Sequence, residues 1–201
     1  GRGNLRFSTG PWSLPYVLSV RRDLHQLNLN GHRSGSFGDP PVKLAVFGGL
    51  YSNYLALAAA ITDARKRGAD QLYCLGDMGA FGPHPDRVFP LLHEHHVQCV
   101  QGNYDDSIGN ELNDCQCGYT DPRDNYFAQL SYDYTLANTN SENKVWLQGL
   151  PVELRAEIHG RRILFCHGSP RRTNEFLWES TTSTAFLNRL ADEHQADLMI
   201  G

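Results

Sequence analysis

A chain of 201 residues is long enough to bury one hydrophobic core. Apolar residues make up 40% and charged residues 20%, an ordinary globular balance, and a formal charge of −4 argues against a general polyanion binder, so no nucleic-acid partner is expected. No stretch approaches the roughly 18 apolar residues of a membrane helix, and residues 1–20 lack the basic start, apolar middle and cleavage site of a signal peptide, so the chain reads as cytoplasmic.

The charge is uneven along the chain. Within residues 1–41, Arg2, Arg6, Arg21, Arg22 and Arg33 stand against Asp23 and Asp39, a local +3 that leaves about −7 for the remainder. This segment, rich in Gly, Ser, Pro and Arg with one apolar island from Leu14 to Val20, reads as a basic N-terminal arm. Such an arm could clamp an acidic body, its own or that of a second copy in a homo-oligomer; a solvated tail is the alternative. Residues 42–201 read as the domain proper.

From Val42 strands and helices alternate. Val42 to Phe47 has the unbroken apolar character of a buried strand. Asn53 to Arg67 places Leu57, Ala58, Ile61 and Ala64 on one helical face, with Gly68 as the stop. Gln71 to Leu75 predicts a strand, Pro85 to His95 a helix with Pro85 in its first turn, and Val97 to Gln101 a third strand. Asp114 to Asn125 is a turn-rich loop. Asn125 to Ala137 and Ser141 to Leu150 read as helices, and Val152 to Ile158 with Arg161 to Cys166 as a hairpin. Ser183 to His194 is an amphipathic helix, and Asp197 to Ile200 begins a last strand.

Alternation of this kind implies a largely parallel sheet flanked by helices, with ligands at the carboxyl ends of its strands. Three such ends are polar and glycine-rich, and are expected on one sheet: "LGDMGAFGPHP" from Leu75, "QGNYDDSIGN" from Gln101, and "CHGSPRR" from Cys166. Asp77, Asn103 and His167 thereby offer a carboxylate, an amide oxygen and an imidazole, a set that suits Zn, Mn or Fe. Singly, each has a plain structural reading: a helix cap, a turn former, a hydrogen-bonded histidine. Their occurrence in order at successive strand ends is what points to a metal.

The cysteines are less informative. Cys74, Cys99 and Cys166 fall inside predicted strands as small buried hydrophobes, and an odd total of five argues against a disulfide framework. Cys115 and Cys117 form a C-x-C, a weak metal signal.

"GDMGAFGP", "GNYD" and "HGSP" together resemble the calcineurin-like metallophosphoesterases, especially their small bacterial phosphodiesterase branch, whose signature runs D-x-H, G-D-x-x-G-x-G-P, G-N-H-[DE], H-G-[ST]-P and G-H-T-H. The resemblance covers Val42 to Gly201 and implies an α/β fold of mostly parallel sheets flanked by helices, an α/β–β/α sandwich. It also implies two metals about 3.5–4 Å apart, carried on Asp77, Asn103 and His167 where the motifs match.

The departures from that signature shape the expected chemistry. Gly49-Leu50-Tyr51 stands where the family has D-x-H, and Tyr104 stands for the histidine of G-N-H-D; G-H-T-H would follow Ile200. The ligands of one metal are thus missing, and a single divalent or trivalent Mn, Fe or Zn ion is expected. Tyr51 would bind a metal only as phenolate, which needs a pKa near 10 lowered. Tyr104 becomes the candidate leaving-group donor with Asp105 as the next candidate, and Arg171 or Arg172 a candidate anion clamp. His84 and Cys117 are candidate supports around the ligands, and "DCQCGYTDPRDN" a candidate lid through Cys117, Tyr119, Asp121 or Arg123. In "NEFLWES", Phe176, Leu177 and Trp178 form a helix face better assigned to core packing than to a pocket wall. The expected activity is phosphomonoester or phosphodiester hydrolysis of a small phosphorylated or otherwise anionic substrate. A repurposed metalloprotein with redox chemistry and a catalytically inactive binding domain are the alternatives.

Overall fold

The computed structural model describes residues 16–20, 41–178 and 180–201. The rest of the basic arm, its five arginines included, lies outside the described residues.

Two sheets form the centre. In the first, β2 (Val42–Phe47), β3 (Gln71–Cys74) and β4 (Gln98–Cys99) run parallel, and the backbone of β1 (Tyr16–Val20) pairs antiparallel beside β2. The second holds β5 (Glu153–Ile158), β6 (Arg161–Cys166) and β7 (Leu198–Ile200). There β5 and β6 are an antiparallel hairpin turned at His159-Gly160, and β7 joins β6 in parallel.

Side-chain alternation explains the layering. Ala45, Phe47, Leu72, Cys74 and Cys99 share one core with the helices, while Leu44, Val46, Tyr73, Leu75 and Val100 share another with Ile158, Ile163 and Phe165 of the second sheet. Successive residues of a strand point to opposite faces, so a strand apolar throughout must be covered twice. Helices α1 (Tyr54–Lys66), α2 (Val88–Glu94), α3 (Asn103–Gly109), α4 (Pro122–Asn138) and α5 (Ser141–Gln148) contribute to the first core; the second sheet covers the other face. Tyr73 and Phe165 stack across the inter-sheet layer with centroids 3.9 Å apart. A last helix, α6 (Thr184–Glu193), capped by the Ser183 hydroxyl, leads into β7.

The architecture is therefore the α/β sandwich that the motif resemblance implies, and not the single sheet that alternation alone predicts. The hairpin's antiparallel start founds a separate sheet, so His167 approaches the other strand ends from the facing layer. Other differences are local. Residues 85–87 form a 3-10 turn ahead of α2. The expected loop to Asn125 ends early, because Asp121 caps the Arg123 N–H and Pro122 starts α4. Residues 175–178 form no helix, and Phe176 and Trp178 stack on each other in exposed positions rather than in the core. Among the described residues no helix is long and apolar enough to cross a membrane.

Candidate metal centre

Three loops converge where β3, β4 and β6 end, and glycine permits the approach. Gly76 has φ +97°, and a Cβ there would lie 2.6 Å from the Gly102 nitrogen and 3.0 Å from His167 Nδ1. A Cβ on Gly102 would stand 2.4 Å from Asp77 Oδ1. Neither position accepts a side chain without moving a loop. Asp77 itself has φ +54°, a conformation unfavourable for a residue bearing Cβ. Tyr51, Ser52, Ala80 and Phe81, in the two neighbouring turns, share this left-handed backbone. Strain of this kind persists only where surrounding contacts enforce it.

Those contacts are hydrogen bonds. The Asp77 carbonyl accepts from the Leu50 and Tyr51 N–H groups, and the Met78 carbonyl accepts from Ser52. The turn after β2 is thereby tied to the loop after β3. Asp105, fully buried, accepts from the N–H groups of Asp77 (2.8 Å), Met78 (2.9 Å) and Gly102 (2.8 Å), joining the loops after β3 and β4. Burial, then the Asp77 charge, push the Asp105 carboxyl up to about 8 against the pull of those three donors.

Two of the three predicted ligands, His167 and Asn103, are oriented by partners that can only accept, and Asp77 Oδ1 takes the Tyr104 N–H at 3.3 Å. His167 Nδ1 is 2.6 Å from the Leu75 carbonyl, which places a proton on Nδ1 and, in a neutral ring, leaves a lone pair on Nε2. Asn103 donates from Nδ2 to the Cys115 carbonyl at 2.7 Å, which turns Oδ1 inward. Nε2 then lies 3.1 Å from Asn103 Oδ1 and 3.6 Å from Asp77 Oδ2. In that tautomer three electron-pair donors face one another. Two donors bound to one ion at about 2.1 Å stand roughly 3.0–3.4 Å apart, close to these separations. Oxygen and imidazole donors of this mixture suit Mn, Fe or Zn, and the Nδ1–carbonyl bond is the usual way a ligating histidine is held. The residues present fit a cation. Among the described residues no group of three His, Cys, Asp or Glu side chains gathers anywhere; here the third donor is an amide. Burial raises the Asp77 carboxyl above its ordinary range, opposed by His167 and by the Tyr104 N–H.

A cavity of about 400 Å³ opens onto Asp77, Asn103 and His167. Its walls include Tyr51, Phe81, Tyr119 and Phe176, together with Cys117, Thr173, Asn174 and Glu175. Phe81 and Glu175 went unrecognised in the sequence. A phenylalanine inside a glycine-rich strand-end loop, where nothing would bury it, was the available signal for the first.

Of the remaining candidates, Tyr51, Tyr104, Cys117 and Tyr119 line the cavity, and Asp105, Arg171 and His84 do not. The Tyr104 ring lines the cavity, but its hydroxyl donates to the Ala128 carbonyl of α4 at 3.2 Å, and burial pushes the phenol up to about 12. Asp105 does not line the cavity; it positions the loops. Arg171 pairs with Glu175 (3.7 Å) and lies over the Phe186 ring, and no Lys or Arg lines the cavity among the described residues. His84 packs edge-on against Tyr54, away from the site. Cys117 does line the cavity, joined to Cys115 in a single disulfide that leaves Cys74, Cys99 and Cys166 free. Of the proposed lid, Tyr119 reaches the wall, whereas Asp121 caps α4 and Arg123 lies over Phe127. Tyr51 reaches the site as a neutral phenol, its pKa raised by burial and then by Asp77 and Tyr119.

A two-sheet α/β sandwich thus carries Asp77, Asn103 and His167 together at its strand ends. The chain belongs to the calcineurin-like phosphoesterase superfamily, whose domain profile matches residues 42–200. It is 28% identical over 137 residues to an uncharacterized protein of Methanocaldococcus jannaschii, covering 68% of this chain and 52% of that one. A hypothetical protein from Pyrococcus horikoshii shares the fold (TM-score 0.63, 21% identity, 78% of this chain and 67% of that one). So does a metallophosphoesterase from Sphaerobacter thermophilus (TM-score 0.52, 23% identity, 68% and 51%). The chain spans about half the length of the curated relative it matches.

Proposed function

We propose that the chain is a metal-dependent phosphoesterase acting with one ion, held by Asp77, Asn103 and His167. The observation that carries this reading is the approach of His167 Nε2 to Asn103 Oδ1 (3.1 Å) and to Asp77 Oδ2 (3.6 Å), with the imidazole and the amide each turned by a backbone carbonyl. When bound, the ion supplies Lewis-acid polarisation of a phosphoryl oxygen and of the attacking water. Asp77 brings the negative charge that retains it, and Leu75 and Cys115 hold the imidazole and the amide in register. Gly49 has no side-chain donor atom for a neighbouring ion, which supports a count of one.

A silent phosphate-binding domain is the second reading. It is favoured by the Tyr104 hydroxyl, which faces α4 and so leaves the leaving-group oxygen without that donor. Elemental analysis and turnover separate the two. Protein reconstituted with Mn²⁺ or Zn²⁺ should retain one ion per chain and hydrolyse an activated aryl phosphoester. Asp77→Asn and His167→Ala should each weaken metal retention by more than the roughly 10- to 100-fold that loss of an outer partner costs and abolish turnover. Retention of one ion without turnover selects the binding domain; two ions, or unchanged retention in both variants, overturns the ligand assignment.

A further inference from the structure

We propose that the Cys115–Cys117 disulfide is a redox-sensitive latch on the metal centre. Closed, it holds the Cys115 carbonyl against the Asn103 amide; opened by an external dithiol, it frees that amide, and metal affinity falls. The inference rests on the ligand assignment above and adds its regulation.

The first observation is where the latch bears. Asn103 Nδ2 donates to the Cys115 carbonyl at 2.7 Å and lies 3.9 Å from Cys117 Sγ. Both half-cystines thus meet the side chain whose Oδ1 stands 3.1 Å from His167 Nε2. The last torsion of an asparagine is broad and roughly two-fold, so without that carbonyl either end of the amide can face the ion. The nitrogen end only donates hydrogen bonds and offers a cation nothing.

The second observation is what else fixes the loop. Residues 110–121 join α3 to α4 without a helix or strand. The disulfide closes across Gln116 alone, whose φ of +52° is a left-handed backbone that surrounding structure must enforce. Gln116 is exposed, and its other ties are hydrogen bonds that water can replace: its N–H to Asp114 (2.8 Å), its side-chain amide to Asp106 (3.2 Å) and Ser107 (3.3 Å), and its carbonyl accepting from Asn174 (3.3 Å). The disulfide is the covalent tie.

Exposure sets the course of opening. Cys117 lines the cavity and is half-buried, whereas Cys115 is buried. A thiolate of the dithiol attacks Cys117 Sγ; the S–S bond breaks, and its electron pair leaves with Cys115 Sγ, which takes up a proton. The second sulfur of the dithiol then attacks the mixed disulfide and expels Cys117 Sγ, which is protonated in turn. The protein gains two electrons and two protons, and the dithiol becomes a cyclic disulfide.

The test compares the full metal-free chain prepared under air with the same chain treated with dithiothreitol and desalted without oxygen. Unfolded samples should show three thiols before treatment and five after it. Isothermal titration with Mn²⁺ should show an affinity about ten-fold or more lower in the reduced form, the order that loss of an outer partner costs, and full recovery on reoxidation. In the metal-free protein, the Asn103 side-chain amide NMR signals, assigned by their loss in Asn103→Asp, should exchange with solvent faster after reduction. The double variant Cys115→Ser, Cys117→Ser should bind Mn²⁺ as the reduced protein does and ignore dithiothreitol; if it does not fold, the redox cycle of the wild type decides. Five thiols before treatment, equal affinities, tighter binding after reduction, or unmoved Asn103 signals would overturn the latch alone. Failure of both forms to bind Mn²⁺ would overturn the ligand assignment and the latch together.

Discussion

Asp105 shows how one side chain determines the position of others that do the binding. Its two oxygens take three backbone N–H groups from two loops, and no other described group could replace them. Asp105→Ala leaves those donors buried and unpaired, at roughly 1–3 kcal/mol for each unsatisfied group. A loss of at least about 3 kcal/mol is expected in urea unfolding at pH 7, with metal affinity falling too. Asp197 acts alone at the edge of the second sheet. It accepts from the Arg162 backbone N–H (2.8 Å) and from the guanidinium (both 3.2 Å), and these bonds hold its carboxyl down at about 2. A carboxyl depressed on folding stabilises above its unfolded value and loses that contribution as pH falls through the folded one. Wild type should therefore exceed Asp197→Asn in thermal midpoint at neutral pH, with the gap closing between about pH 4 and 2. The pair is exposed, so the gap should be small.

Helices and loops were unevenly readable from local pattern. The strands β2, β3 and β6 announce themselves by apolar runs, and the glycine-polar ends of β3, β4 and β6 marked Asp77, Asn103 and His167. Helix α3 was missed because "NYDDSIG" has the composition of a turn; it forms because Asp105 draws the Gly102 N–H and the facing loop onto one carboxylate. Helix α4 was read three residues short at its start and one at its end, although Asp121-Pro122 is a sound start signal. The loop after β3 yields its own prediction. Gly76→Ala puts a methyl 2.6 Å from the Gly102 backbone at a left-handed φ, and should cost about 2–3 kcal/mol. Metal affinity should drop with it, since Asp77 and His167 Nδ1 are the immediate neighbours. Unchanged metal retention in a folded Gly76→Ala protein would contradict the convergence described for the three loops.

The sandwich is held by an apolar layer between two sheets that share no strand. Phe165 is fully buried there and stacks on Tyr73. Phe165→Ala should cost about 3–5 kcal/mol in equilibrium unfolding. It should also weaken metal binding, because His167 rides on the same strand, two residues beyond. A surface substitution of equal size would not couple the two measurements.

Residue order was enough for the α/β class, the strand ends, and the candidates Asp77, Asn103 and His167, because unbroken apolar runs and glycine-polar tips are properties of short stretches. They could not say that the third donor arrives from a second sheet, that Arg171 turns to Glu175, or that the Tyr104 hydroxyl faces α4. Nor could they say that the Tyr51 ring lies over Gly49. Each of these depends on which distant group comes within a few ångströms, and such distances exist only once the layers have packed.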